Sequence, residues 1–76
     1  MKELLETIAR SLVDEPDQVD INQIEGESSV VLELRVSRDD MGKVIGKQGR
    51  IAKSIRTIMK AAAVKENKRV NVEIID

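Results

Sequence analysis

The sequence Met41-Gly-Lys-Val-Ile-Gly-Lys-Gln-Gly-Arg-Ile-Ala-Lys53 decides how this chain folds. An apolar pair, Val44 and Ile45, is followed at once by a segment with glycines three positions apart. Apolar residues then return with the spacing of a helix, at Ile51, Ala52, Ile55, Ile58, Met59 and Ala62. The stretch therefore predicts a short helix, a tight loop and a longer helix from about Gly49 to Val64, with Ile51, Ile55, Ile58, Met59 and Ala62 on its buried side.

The loop itself has the composition of a phosphate-binding site. Gly46 and Gly49 let the backbone turn sharply and carry no β-carbon that would hold a ligand away from the chain. The loop opens a helix, whose first free amides and dipole favour an anion. Lys47 and Arg50 add positive charge beside those amides. We therefore expect a phosphate group to bind here.

Composition limits the class of protein. With 76 residues, the chain is predicted to be one domain, residues 1–76, and without Phe, Trp or Tyr its core must be aliphatic. Cysteine and histidine are also absent, which excludes disulfides, thiolate chemistry, imidazole bases and most zinc or copper sites. A general base would have to be a carboxylate or a lysine, and no such pair marks an evident cleft, so we expect no catalytic residue, metal or cofactor. No run approaches the roughly 18 apolar residues of a membrane span. We predict a cytoplasmic protein without a membrane partner.

The net charge of −1 conceals a strong asymmetry along the chain. Residues 41–65 contain seven basic side chains and no acidic one, whereas the rest contains six basic and fourteen acidic side chains. A local cluster of this kind attracts polyanions. Charge runs alone are more often a solvated helix face, but this run coincides with the glycine loop. The distribution favours a nucleic acid as the partner.

The remaining elements follow from hydrophobic periodicity. Residues 2–14 predict an amphipathic helix, with Leu4, Leu5, Ile8, Leu12 and Val13 on one face, and Pro16 stops it. Residues 19–24 predict a strand in which Ile24 breaks the alternation, so we expect a bulge near Asn22 and Gln23. Residues 30–37 and 69–75 alternate as two more strands. Asp39 or Asp40 is the expected N-cap of the helix that follows.

The resulting order is helix, strand, strand, helix, helix, strand. The first two strands are joined by a short turn and should pair antiparallel, whereas the last two are joined by a helical crossover and should pair in parallel. The simplest solution is an α+β fold of two layers. It has a three-stranded mixed sheet in the order 1-2-3 with three helices on one face.

The segment from Val44 to Ile51, placed between two helices, resembles a KH domain, the single-stranded nucleic-acid module with a GXXG loop. The order of elements matches the type II, bacterial arrangement, and the whole chain resembles the small bacterial KhpA family of stand-alone KH proteins. One departure is Ala52, since many KH domains carry a large aliphatic residue three positions after the second glycine. The resemblance implies a fold of the type II KH class.

It also implies a site and a function. A KH groove takes about four nucleotides, with the loop on the backbone and aliphatic side chains and strand edges on the bases. The residues that match are Gly46, Lys47, Gln48, Gly49 and Arg50 for the clamp, Val44, Ile45 and Ile51 for the groove floor, and Lys43, Lys53 and Arg56 for flanking phosphates. For the three apolar residues, packing in the protein core is an equally good interpretation. For the three flanking basic residues, the alternative is that they are ordinary solvated surface residues. The implied role is post-transcriptional regulation or RNA chaperoning.

Two other functions compete with RNA binding. A phosphate-handling enzyme is rejected, because the segment from Gly42 to Gln48 has three residues between its glycines where a P-loop has four, and Gln where magnesium needs Ser or Thr. No small-molecule substrate is expected. A protein-interaction module remains open and is compatible with RNA binding. The resembled family implies a homodimer or a complex with a larger KH-containing, Jag-like protein.

Overall fold

The computed structural model describes residues 1–75, which contain two helices, one short 3₁₀ turn and three strands. Helix α1 spans Lys2–Leu12, the 3₁₀ turn spans Pro16–Gln18, and strands β1 and β2 span Asp20–Glu25 and Ser29–Arg35. Helix α2 spans Arg38–Lys65 and strand β3 spans Arg69–Ile74. Across the described residues, no helix combines the length and the apolar character that a membrane crossing requires.

The sheet has the predicted order and directions. Strand β2 is central, β1 pairs with it antiparallel and β3 pairs with it in parallel. The predicted bulge is wrong, since β1 and β2 pair one to one from Asp20 opposite Arg35 to Glu25 opposite Val30. Ile24 does not need to return to the core, because its side chain lies on the open face of the sheet and is 50% exposed.

Both helices cover the same face of the sheet and share one aliphatic core. Leu32 and Leu34 of β2 are fully buried, and Leu5 of α1 and Met59 of α2 join them in the same cluster. Burial alternates along β2, which is the pattern expected of a strand with one face in the core. The two-layer arrangement therefore follows from the sequence as predicted.

The number of helices was predicted incorrectly, since there are two and not three. The predicted short and long helices form one helical run, α2, in which only residues 46–49 have non-helical backbone angles. The chain leaves helical geometry for four residues and then resumes it, so the connecting loop lies within this one run. Its N-cap is Ser37, whose hydroxyl accepts the N–H of Asp40, and neither Asp39 nor Asp40 takes that position.

The buried side of α2 also differs from the predicted one, because it is rotated about the helix axis. Ala52, Ile55, Met59 and Ala63 are buried, whereas Ile58 is 45% exposed and Ala62 is only partly covered. Alanines occupy two of the four buried positions, so small side chains lie on the buried side there. The larger Ile58 is therefore left on the flank of the helix. Helix α1 shows the same preference, because Leu5 and Ala9 are its buried residues while Leu4 is 38% exposed.

Candidate nucleic-acid interface

The loop at residues 46–49 has an unusual backbone. Gly46 is extended, with φ −72° and ψ 176°, and the next three residues, Lys47, Gln48 and Gly49, are left-handed, with φ of 52°, 62° and 70°. Only glycine adopts this region at little energetic cost, so Lys47 and Gln48 hold strained conformations. Strain of this kind is concentrated in binding and active sites.

The two glycines face open space. An added β-carbon at Gly46 or Gly49 would meet no atom of the chain within 4 Å. Internal packing therefore does not require glycine at either position. At Gly49 the positive φ requires it, whereas Gly46 has a backbone conformation open to any residue. What glycine provides at position 46 is a bare backbone that an external group can approach.

Basic side chains surround this bare backbone without internal partners. Lys47, Arg50 and Lys53 are exposed, and within residues 1–75 no carboxylate forms an ion pair with any of them. Successive backbone N–H groups in left-handed or turn conformations form a concavity that binds anions. The loop thus combines a left-handed backbone with uncompensated positive charge.

One face of α2 continues from the loop. Gly49 and Arg56 are seven residues apart, which is close to two helical turns, so they share a face about 10 Å apart along the axis. Lys53 and Lys60 lie on the same side by the same spacing. Ala52 is the small buried residue of this face, whereas Ile51 lies about 100° around the helix and packs against the main core.

Arg56 is anchored to the sheet. Its Nε donates a hydrogen bond of 3.2 Å to the backbone carbonyl of Val72 in β3. The amide of Arg69 donates to the carbonyl of Ser28, just before β2, and that of Ile75 donates to the carbonyl of Leu34 in β2. The residues of even number between them therefore direct their backbone groups to the free edge of the sheet. The predicted flanking residue Arg56 therefore lies where α2 meets the open edge of β3, with its terminal nitrogens available.

The other predicted residues fall into different environments. Val44 is buried, with 2% of its surface exposed, whereas Ile45 beside the loop is 53% exposed. Ile45 is thus the apolar residue of the three that presents a surface to a ligand. Lys43 forms an ion pair with Asp14, with 3.3 Å between Nζ and Oδ1, which holds its charge at the connection between α1 and β1.

Sequence reasoning missed the role of Asp40. Its carboxylate is 1% exposed and accepts hydrogen bonds from the backbone amides of Asp14 and Glu15 and from the Ser37 hydroxyl. The hydrogen bond from the Asp14 amide is the main cause that lowers the pKa of Asp40 below its ordinary value of 3.8. The spacing Ser37-x-x-Asp40 is a capping-box signal that was available in the sequence.

The arrangement is suited to binding. No group of three or more acidic, histidine or cysteine side chains in residues 1–75 could hold a metal ion. The described residues enclose no pocket for a small molecule. The groups exposed around the bare glycine loop are basic side chains, one isoleucine and a strand edge. These groups suit an extended, negatively charged ligand that lies on the surface.

Comparison with known proteins agrees with this geometry. Residues 2–74 match the family model of the KhpA/KhpB KH domain. The chain is 72% identical over 75 residues to a protein of Clostridium acetobutylicum named RNA-binding protein KhpA, which covers 99% of this chain and 100% of the relative. A protein of the same name from Clostridium perfringens is 69% identical, with the same coverage.

Two solved structures share the fold. Era of Aquifex aeolicus, a Y63A variant bound to GDP and AlF4−, superposes with a TM-score of 0.66 at 21% identity. Era in complex with MgGDPNP and nucleotides 1506–1542 of 16S ribosomal RNA superposes with a TM-score of 0.60 at 22% identity. Each superposition covers 96% of this chain but only 28% of the Era chain. By its match over residues 2–74 and its identity to these relatives, the chain belongs to the KhpA/KhpB family of KH-domain proteins.

Proposed function

We propose that this protein binds short single-stranded RNA, with the loop at residues 46–49 clamping the sugar-phosphate backbone. The observation that carries the proposal is the bare, left-handed loop backbone, which faces open space and lies beside exposed Lys47 and Arg50. Relatives that cover the whole chain at about 70% identity are named RNA-binding proteins, which supports RNA as the polyanion.

The proposed path of the RNA follows one face of α2. Phosphates contact the loop amides together with Lys47, Gln48 and Arg50, while the bases lie over Ile45 and toward Arg56 and the edge of β3. About four nucleotides fit such a path in a KH module. The protein acts without catalysis, in the cytoplasm, in post-transcriptional regulation or as an RNA chaperone.

The test is a double substitution, Lys47→Asp with Gln48→Asp. Both side chains are exposed, so the fold should persist, while two new carboxylates face the phosphates and should abolish RNA binding. A matched control is Lys2→Asp with Gln18→Asp, which makes the same change in residue type and charge at exposed positions outside the loop.

Circular dichroism and gel shifts with a single-stranded RNA measure the two properties separately. The expected result is loss of the shifted band in the loop variant and retention in the control. A folded loop variant that binds RNA as tightly as the control would remove the basis for assigning the loop.

We also propose that the working form is a homodimer or a complex with a larger KH-containing, Jag-like protein. A groove of about four nucleotides without any aromatic side chain offers little affinity, and linking two grooves raises the apparent affinity by about 10² to 10⁴. Besides Ile45, over which the bases are proposed to lie, five large apolar side chains in the described residues are more than a third exposed, which offers surface for a partner: Leu4, Leu12, Ile24, Ile58 and Val64.

Size-exclusion chromatography tests the assembly. Because the chain has no Trp or Tyr, absorbance at 280 nm reports RNA alone, while refractive index and light scattering report protein mass. A concentration series with RNAs of one and two site lengths should show a dimer and tighter binding of the longer RNA. A strict monomer that binds both RNAs equally would contradict a homodimer, and copurification from lysate would then test the second protein.

A further inference from the structure

The carboxylate of Asp40 joins the beginning of α2 to a distant segment of the chain. Its Oδ1 accepts the amide of Asp14 at 2.9 Å, and its Oδ2 accepts the amide of Glu15 at 3.0 Å and the hydroxyl of Ser37 at 2.9 Å. Asp14 and Glu15 lie just after the C-terminus of α1. A buried carboxylate satisfied by backbone amides 25 and 26 residues away holds two chain segments at a fixed distance.

The part of α2 that leads into the loop packs outside the main core cluster. We call residues 38–45 the lead-in turns. Their buried apolar residues, Met41 and Val44, lie outside the main core cluster that unites α1, the sheet and the rest of α2. The non-helical residues 46–49 then separate the lead-in turns from the remainder of the helix. The ion pair between Lys43 and Asp14 reaches the same segment after α1.

We infer that Asp40 is a positioning residue for the RNA-binding loop. By holding the lead-in turns against residues 14 and 15, it fixes the direction from which the chain enters Gly46. That direction sets where the amides after Gly46 point, and these are the proposed phosphate donors. The inference rests on the proposed function of the loop, and it adds a residue that does not itself contact RNA.

A carboxylate suits this role better than its amide analogue. Asp40 accepts three hydrogen bonds through two oxygens, whereas asparagine has one acceptor oxygen and an NH₂ group that is a donor. In Asp40→Asn, the amide of Asp14 or Glu15 would face another donor and lose its partner. The substitution changes almost no volume, so it loosens the lead-in turns without creating a cavity.

The experiment compares Asp40→Asn with Val30→Ala, a core substitution of β2 at the end of the sheet beside Val70. Both variants should lower Tm, and both are assayed at a temperature where circular dichroism shows them folded. Asp40→Asn should weaken RNA binding by about 2- to 30-fold, the range for residues that modulate a site without touching its ligand. Val30→Ala should keep wild-type affinity.

Hydrogen exchange provides a second readout. In Asp40→Asn, amides of residues 38–50 should exchange faster while those of β2 keep their protection, whereas Val30→Ala should show the reverse. If Asp40→Asn does not fold, Ser37→Ala removes one of the three donors together with the N-cap of α2, and it should give a smaller change of the same kind.

The outcomes separate the two hypotheses. If Asp40→Asn, or Ser37→Ala in its place, binds RNA as tightly as Val30→Ala while the Lys47→Asp, Gln48→Asp variant has lost binding, the positioning role is overturned and the loop assignment stands. If the loop variant itself binds normally, the proposed function fails and the positioning role fails with it.

Discussion

The two glycines of the loop are required for different physical reasons. Gly46 and Gly49 were identified as loop residues from their spacing and from the basic side chains beside them, and both face open space. Their separate roles could not be predicted, because the requirement at Gly49 comes from a positive φ and that at Gly46 does not. The N-cap was misassigned to Asp39 or Asp40 although the spacing from Ser37 to Asp40 indicated Ser37. The contacts of Asp40 with the amides of residues 14 and 15 could not be predicted, because these partners are distant in the sequence.

Three alanine substitutions distinguish these roles. Gly46→Ala should keep or raise the free energy of unfolding by about 0.4–1 kcal/mol, because its extended backbone suits alanine, yet weaken RNA binding, because the new methyl group occupies the approach. Gly49→Ala should destabilise the fold by about 1–2 kcal/mol through its left-handed φ. Urea unfolding and RNA titration measure the two effects.

Gly42→Ala is the control for this series. Gly42 lies within α2 with open space around its Cα, so alanine should stabilise the helix by about 0.8–1 kcal/mol and leave RNA affinity unchanged. Equal RNA affinity in Gly46→Ala and Gly42→Ala would show that nothing approaches the backbone at Gly46.

Asp40 also predicts a dependence of stability on pH. Because the Asp14 amide and its neighbours lower the pKa of Asp40 in the folded state, the charged form contributes stability that is fully present above the ordinary value of 3.8. That contribution is lost as the pH falls through 3.8 toward the lower pKa of the folded state. The Tm of the wild type should therefore approach that of Asp40→Asn on acidification. Parallel Tm curves for the two proteins from about pH 7 to pH 3 would contradict this account.

At the scale of elements, the alternation of residues on the two faces of a strand predicted β2 correctly. The helical spacing of apolar residues did not predict correctly which side of α2 is buried. Strand β2 was predicted correctly because Val30, Leu32 and Leu34 alternate on the core face, although Val31 places one apolar side chain on the other face. The bulge in β1 was wrong because it assumed that Ile24 must be buried, although one face of the sheet is open. In α2, apolar residues cover more of the helix than the sheet can bury. The choice between Ile58 and Ala63 therefore depended on how closely the helix approaches the sheet.

Two isoleucines test the phase of α2. Ile55 is 1% exposed and Ile58 is 45% exposed. Ile55→Ala should reduce the free energy of unfolding by about 2–5 kcal/mol, as expected for a buried side chain that leaves a cavity. At low protein concentration, Ile58→Ala should reduce the free energy of unfolding by well under half as much, because solvent or a small rearrangement fills the space. Urea denaturation followed by far-UV circular dichroism gives both values, and similar losses would mean that the observed phase is not the one in solution.

At the scale of the whole molecule, charge is separated. Eight of the thirteen basic residues lie on the helical run that carries the loop, while the acidic residues belong mainly to α1, the connections and the strands. The net charge of −1 thus gives a poor description of the surface that an RNA meets. The distribution along the sequence predicted this, because the basic run and the glycine loop occupy the same segment.

Salt should therefore weaken RNA binding strongly. If about three phosphates are neutralised, the logarithm of the association constant should fall with the logarithm of salt concentration with a slope near −2, at about −0.7 for each contact. Lys47→Gln should make this slope shallower by about one contact, whereas Lys2→Gln should leave it unchanged. Fluorescence anisotropy of a labelled RNA across a salt series gives the slopes. A salt-independent affinity would indicate an interface without phosphate contacts.

The parallel pairing of β2 with β3 also determines how the chain reaches its fold. Ser29 and Arg69 are partners in the sheet, and all of α2 lies between them. The hairpin of β1 and β2 and the helices involve neighbouring residues, so they can form early, whereas β3 must wait until α2 has brought it back to the sheet. The free edge beside Arg56, where the bases are proposed to lie, is therefore among the last parts of the protein to be completed during folding.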